Sequence, residues 1–127
     1  MAINFLRGEQ RVVSAIESTL KGSDNVGITT VSVFEILQRI HHRKLQRHEK
    51  TVRGFFGQLR TLELDSEGAE EAAKMRGALL RIGRQVNALD VLIAGTAAAN
   101  AAEKVLSMDR DYEQIAKVSD LEVEILK

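Results

Sequence analysis

Carboxylates set into the edges of apolar segments are the residues of this chain best suited to chemistry. Asp90 lies in the run Asn87-Ala88-Leu89-Asp90-Val91-Leu92-Ile93-Ala94, and Asp109 and Asp111 follow the stretch Val105-Leu106-Ser107-Met108. Glu35 is embedded in Ser32-Val33-Phe34-Glu35-Ile36-Leu37. A charge held against apolar neighbours is costly unless a backbone amide, a basic side chain or a cation meets it. Carboxylates that converge repel one another, which favours protonation unless a divalent cation neutralises them. Mg²⁺ and Mn²⁺ take oxygen ligands, keep several waters, and stabilise the charge that develops at a phosphodiester under attack. Each acid also has a plain structural explanation. Ser32 and Glu35 have the spacing of a capping box, although a helix beginning at Thr29 or Thr30 would remove that role. Asp90, three residues after Asn87, would favour the positive end of a helix dipole. Asp109 and Asp111 would serve as turn residues after a strand.

The other reactive side chains are less promising. His41 and His42 are neighbours, so on a helix they face different directions and make a poor metal pair. Together with His48 they sit among Arg39, Arg43, Lys44 and Arg47 and suit a solvated basic surface. That surface is also the place where Arg43, Lys44 and Arg47 would meet RNA phosphates, which require accessible positive charge. Ser14, Ser18 and Ser32 lack a His/Asp arrangement for nucleophilic catalysis, and no glycine-rich phosphate loop is present.

Net charge is zero over 127 residues, yet it is unevenly spread. Residues 38–60 hold seven Lys/Arg against one acid, Glu49, whereas residues 61–127 hold eight against thirteen. A basic middle and an acidic remainder suit one anionic and one cationic partner. The length and an apolar fraction of 44% fit a single domain, 1–127, with one core. The absence of cysteine excludes disulfides and thiolate metal sites and is compatible with a reducing cytoplasm. No apolar run is long enough to span a membrane, and the start lacks signal-peptide organisation, so a cytoplasmic protein without a membrane partner is expected.

The elements that must position the acids can be read from periodicity and turn chemistry. A helix is expected over 9–21, a strand over 26–29, and a second helix from Thr30 with Val33, Ile36, Leu37 and Ile40 inward. His41-His42-Arg43-Lys44 interrupts it, and a third helix follows from Gln46 to Arg60. Thr61–Leu64 reads as a strand; Asp65-Ser66 caps a helix to about Ile82, which Gly83 stops. Asn87 or Ala88 opens a helix to about Ala101. Lys104–Ser107 is a strand, Glu113–Ile115 a helical turn, and Leu121–Leu126 a final strand. Strands alternating with helices predict an α/β fold, a parallel sheet flanked by helices, whose carboxyl edge collects ligands.

Thr29-Thr30-Val31-Ser32-Val33-Phe34-Glu35-Ile36-Leu37, then Gly83 and Asn87-Ala88-Leu89-Asp90-Val91-Leu92-Ile93-Ala94, then Ser107-Met108-Asp109-Arg110-Asp111-Tyr112, resemble the ordered motifs of PIN-domain proteins, and especially the VapC-type toxin ribonucleases. The opening Ile3-Asn4-Phe5-Leu6-Arg7-Gly8 resembles the helix start after that family's first strand, so the likeness spans essentially the whole chain. It implies a Mg²⁺- or Mn²⁺-dependent endoribonuclease, the toxin of a toxin–antitoxin pair, usually homodimeric and restrained by a VapB-type antitoxin. Glu35, Asp90 and Asp109 would be the catalytic metal-site acids, with Asp111 as an auxiliary ligand. The family begins with a central strand ending in a further metal-binding Asp. Here about ten residues of that strand, ~30 Å of extended chain, are expected to be missing. Asn4 brings no charge with which to replace the acid. The competing expectation is therefore a catalytically degenerate PIN-like module that retains antitoxin or RNA binding. A DNA-directed or ribosomal-RNA-processing PIN nuclease would share the same acids.

Overall fold

The computed structural model describes residues 27–44, 46–102, 104–107 and 112–125. The expected helix over 9–21 and the motif Ile3–Gly8 lie outside these. Strand β1 (Gly27–Thr29) leads directly into helix α1 (Thr30–Arg43), and α2 (Gln46–Gln58) follows. Strand β2 (Arg60–Leu62) precedes α3 (Ser66–Arg81) and α4 (Ala88–Ala99). Strand β3 (Lys104–Ser107), α5 (Tyr112–Lys117) and β4 (Glu122–Ile125) complete the order. The α/β class is as expected, and both strand pairings are parallel. Ile28 stands opposite Thr61 in β1–β2, and Val105 opposite Val123 in β3–β4. Among the described residues these are two separate two-stranded sheets.

Helix α4 joins the two halves. Apart from Asp90 and Thr96 it is apolar on all its faces, as befits a largely enclosed helix, and it packs against α1, α3, α5 and β1. One buried cluster gathers Val91, Ile93, Ala94 and Ala97 of α4 with Val31, Met75, Leu79, Val105, Tyr112 and Ile115. A second set of buried side chains, Ile28, Ile36, Ile40, Val52, Leu59 and Leu62, belongs to β1, α1, α2 and β2 and the turn between the last two. The α3–α4 crossing is close because Gly95 brings no side chain to it. A Cβ there would fall 2.6 Å from Ala72 Cβ, Ala72 N and Gly68 O.

Helix ends follow local chemistry. Asp65 Oδ1 accepts from Gly68 N at 2.9 Å, so Asp65 is the cap and Ser66 the first helical residue of α3. At the other end Gly83 N donates to Leu80 O and Arg84 N to Leu79 O, with Gly83 at φ +72°. This is a Schellman stop at the glycine expected to provide it. Helix α4 ends the same way, Ala101 N to Ala98 O and Ala102 N to Ala97 O, but with an alanine, Ala101, at φ +57°.

Several boundaries differ from the sequence reading. Helix α1 continues through His41, His42 and Arg43, and its break falls at Lys44, whose left-handed backbone (φ 54°) returns an N–H to Ile40 O. Ile40 is fully buried, so packing holds the last turn despite its polar sequence. Helix α2 stops at Gln58, and β2 begins at Arg60 and ends at Leu62, because these three residues are taken into the ladder with β1.

Candidate active site

Asp90 is buried, at 5% exposure the one carboxylate so enclosed among the described residues. Its place is local in origin. Asn87 caps α4 by accepting from Leu89 N at 2.9 Å, and the amide of Asp90 donates to Asn87 O. Asp90 is thus the third residue of the helix, in the first turn, where free amides and the helix dipole favour an anion. That accounts for tolerance of the charge. It does not account for burial, since a dipole contact is equally available to an exposed acid.

Glu35 loses its role in a capping box. The cap of α1 is Thr29 and not Ser32: Thr29 Oγ1 accepts from Ser32 N at 3.0 Å, and its hydroxyl donates to Ser32 Oγ at 2.9 Å. Glu35 therefore sits in the second turn, beyond reach of the first free amides. It is half-buried, and its Oε1 is shielded from solvent. Beneath it, one turn earlier, Val31 and Ser32 are buried, and Val31 shares the cluster that holds Val91, the residue after Asp90. Helices α1 and α4 are in contact. The packing therefore places the helix of Glu35 against the helix of Asp90.

Asp109 and Asp111 lie outside the described residues. They belong to the connection between the carboxyl end of β3 at Ser107 and the start of α5 at Tyr112. Both flanks are anchored in the same buried cluster, by Val105 and by Tyr112, which is 1% exposed. Among the described residues no three acids or histidines converge closely enough to hold a metal ion. Asp90 and Glu35 nonetheless fit one in kind. Both are oxygen donors, the chain has no thiolate to favour a softer metal, and a buried carboxylate calls for a cation or strong donors.

The basic stretch is on the surface. Arg39, His41, His42, Arg43 and Lys44 are all exposed, and Arg47 follows in the first turn of α2. Sequence reasoning passed over the buried hydroxyl pair Thr29–Ser32, which fixes where α1 begins and hence the turn on which Glu35 falls. The available signal was a short strand, Gly27-Ile28-Thr29, ending in a hydroxyl residue that can cap.

The PIN domain profile matches residues 1–118. The tRNA(fMet)-specific endonuclease VapC of Shigella flexneri is 26% identical over 89 residues, 69% of this chain and 67% of that protein. Among solved structures, DNA-bound VapBC2 of Rickettsia felis superposes with a TM-score of 0.77 at 16% identity, covering 93% of this chain and 86% of that one. DNA-bound VapBC of Salmonella typhimurium gives 0.72 at 23% identity, with 87% and 83% covered. FitAcB of Neisseria gonorrhoeae gives 0.72 at 21%, with 97% and 96% covered.

Proposed function

The chain belongs to the PIN-domain family, and from that premise we propose that it is a Mg²⁺- or Mn²⁺-dependent endoribonuclease, the toxin half of a VapBC-type toxin–antitoxin pair. The observation that carries the proposal is Asp90, a carboxylate buried at the start of α4. Glu35 supports it, standing on the helix packed beside α4 and one turn past the residues a cap would use. Asp90, Glu35 and Asp109 would hold the cation, with Asp111 in support. Bound there, it would supply positive charge to the phosphodiester and favour ionisation of the attacking water. The protein's own contribution is placement. The cap at Asn87 and the packing of α4 fix Asp90, while the Thr29–Ser32 hydroxyl pair fixes the rise of α1 to Glu35. Arg43, Lys44 and Arg47 would hold RNA phosphates.

A VapB-type antitoxin is the proposed partner, because the solved relatives include VapBC complexes, and a homodimer is the proposed assembly. No helix among the described residues is long and apolar enough to cross a membrane. The decisive experiment is RNA cleavage with Mg²⁺ or Mn²⁺. Cutting should stop in EDTA and fall by ~10²-fold or more in Asp90→Asn and Asp109→Asn, with circular dichroism unchanged. Cleavage that persists in EDTA or in both variants refutes the assignment. RNA or antitoxin binding without any metal-dependent cutting would instead identify a catalytically degenerate binding module.

A further inference from the structure

One face of α1 changes character along its length. Val31 and Ser32 are buried, Glu35 is half-buried, and Arg39 and His42 are exposed. Residues four and seven positions after Glu35 share its face of a helix, so Arg39 and His42 extend that face outward by about 6 and 10 Å of helical rise. Arg43 and Lys44 finish the helix just beyond. Arg39 has the spacing at which a helical Glu–Arg ion pair forms, yet the described ion pairs are Arg53–Glu49 and Lys74–Glu71, and Arg39 joins neither. No described residue neutralises Arg39, His42, Arg43 or Lys44. Glu35 is the only acid on α1, so nothing else on the helix opposes this basic stripe.

We propose that Arg39 and His42 form a phosphate track for single-stranded RNA, running along α1 from Glu35 to the basic end at Arg43 and Lys44. The stripe begins where the helix leaves the interior beside the candidate site. A strand with one phosphodiester near Glu35 would lay its next phosphates on Arg39 and His42. Arg39 brings a permanent charge, and His42 an N–H donor. Exposed basic groups in a row match a flexible polyanion, whose affinity comes from counterion release at each neutralised phosphate. The proposal rests on the nuclease reading and assigns its substrate path.

The test is fluorescence anisotropy of a short labelled single-stranded RNA bound to the full chain in EDTA, so that no cutting occurs, across a NaCl series. Arg39→Ala should weaken binding and flatten the log–log salt slope by ~0.7 for each phosphate it no longer neutralises. Arg39→Ala combined with His42→Ala should weaken binding further. Arg39→Lys should restore the slope, since Lys keeps the charge, and Arg81→Ala, at an exposed cation on α3, should leave it unchanged. An unchanged slope in Arg39→Ala, or an equal loss in Arg81→Ala, overturns the track. If the chain cuts RNA with Mn²⁺ while Arg39→Ala binds normally, the track fails and the nuclease reading stands. If it neither binds nor cuts RNA, the nuclease reading falls and the track with it.

Discussion

Replacing Gly95 by alanine should loosen the crossing that holds Asp90's helix in place. The new Cβ would lie 2.6 Å from Ala72 Cβ, Ala72 N and Gly68 O. Ordinary contacts of this kind begin near 3.4 Å, so α3 and α4 must separate by about an ångström. Two of the three atoms are backbone and cannot rotate away. A gap of that size forfeits a quarter to a half of each dispersion contact across the crossing, and overpacking in cores typically costs ~1–3 kcal/mol. With backbone in the way the cost reaches or passes the top of that range, ~2–4 kcal/mol, a large share of a total near 5–15 kcal/mol. At about 4 °C per kcal/mol for a chain of this length, Tm should fall by ~8–16 °C. Equilibrium urea unfolding and thermal melting would measure it. Gly77→Ala is the internal control. Gly77 is on α3, and a Cβ there meets nothing within 4 Å, so the helix should gain ~0.5–1 kcal/mol. A Gly95→Ala chain that melts as high as the native one would refute the close crossing, and with it the argument that α4 is fixed by α3.

Other perturbations have equally definite outcomes. Thr29→Ala removes the α1 cap and leaves the buried Ser32 hydroxyl without its partner, for a combined cost of ~2–3 kcal/mol; Thr29→Ser should recover most of it in urea titrations. Ala101→Gly relieves a left-handed alanine at φ +57°, and the gain should be ~0.5–1 kcal/mol after the entropy cost of glycine, read as a raised Tm. Glu35→Gln should leave the melting curve nearly unchanged, because Thr29 caps the helix and the amide keeps the shape of the acid, while reducing Mn²⁺-dependent cleavage by ~10-fold or more; a large stability loss would show that Glu35 is structural.

Much of the local structure was legible from residue types alone. Asn87 and Asp65 as caps, Gly83 as a stop and Asp90 in the first turn of its helix all follow from chemistry within three or four residues, where a side chain meets a nearby free amide. The ordered motifs around Glu35, Asp90 and Asp109 were enough to suggest the family, because their apolar contexts and spacings occur together. The basic stretch was equally plain, since charge is counted without coordinates.

What depends on distant residues had to come from the tertiary structure. Whether Ser32 or Thr29 caps α1 is undecidable locally, because both are hydroxyl residues with plausible spacing. The pairing of Gly27–Thr29 with Arg60–Leu62 holds Thr29 in extended backbone and so makes it the cap, which takes Glu35 out of the first turn. Helicity through His41–Arg43 is likewise decided by the burial of Ile40, not by the polar residues themselves. The close α3–α4 crossing joins Gly68 and Ala72 to Gly95, more than twenty residues apart, and no local pattern announces it. Burial within the fold likewise turns Asp90 from an ordinary first-turn acid into an enclosed one. Local sequence sets where an acid stands on its helix; only the contacts between helices set whether water reaches it.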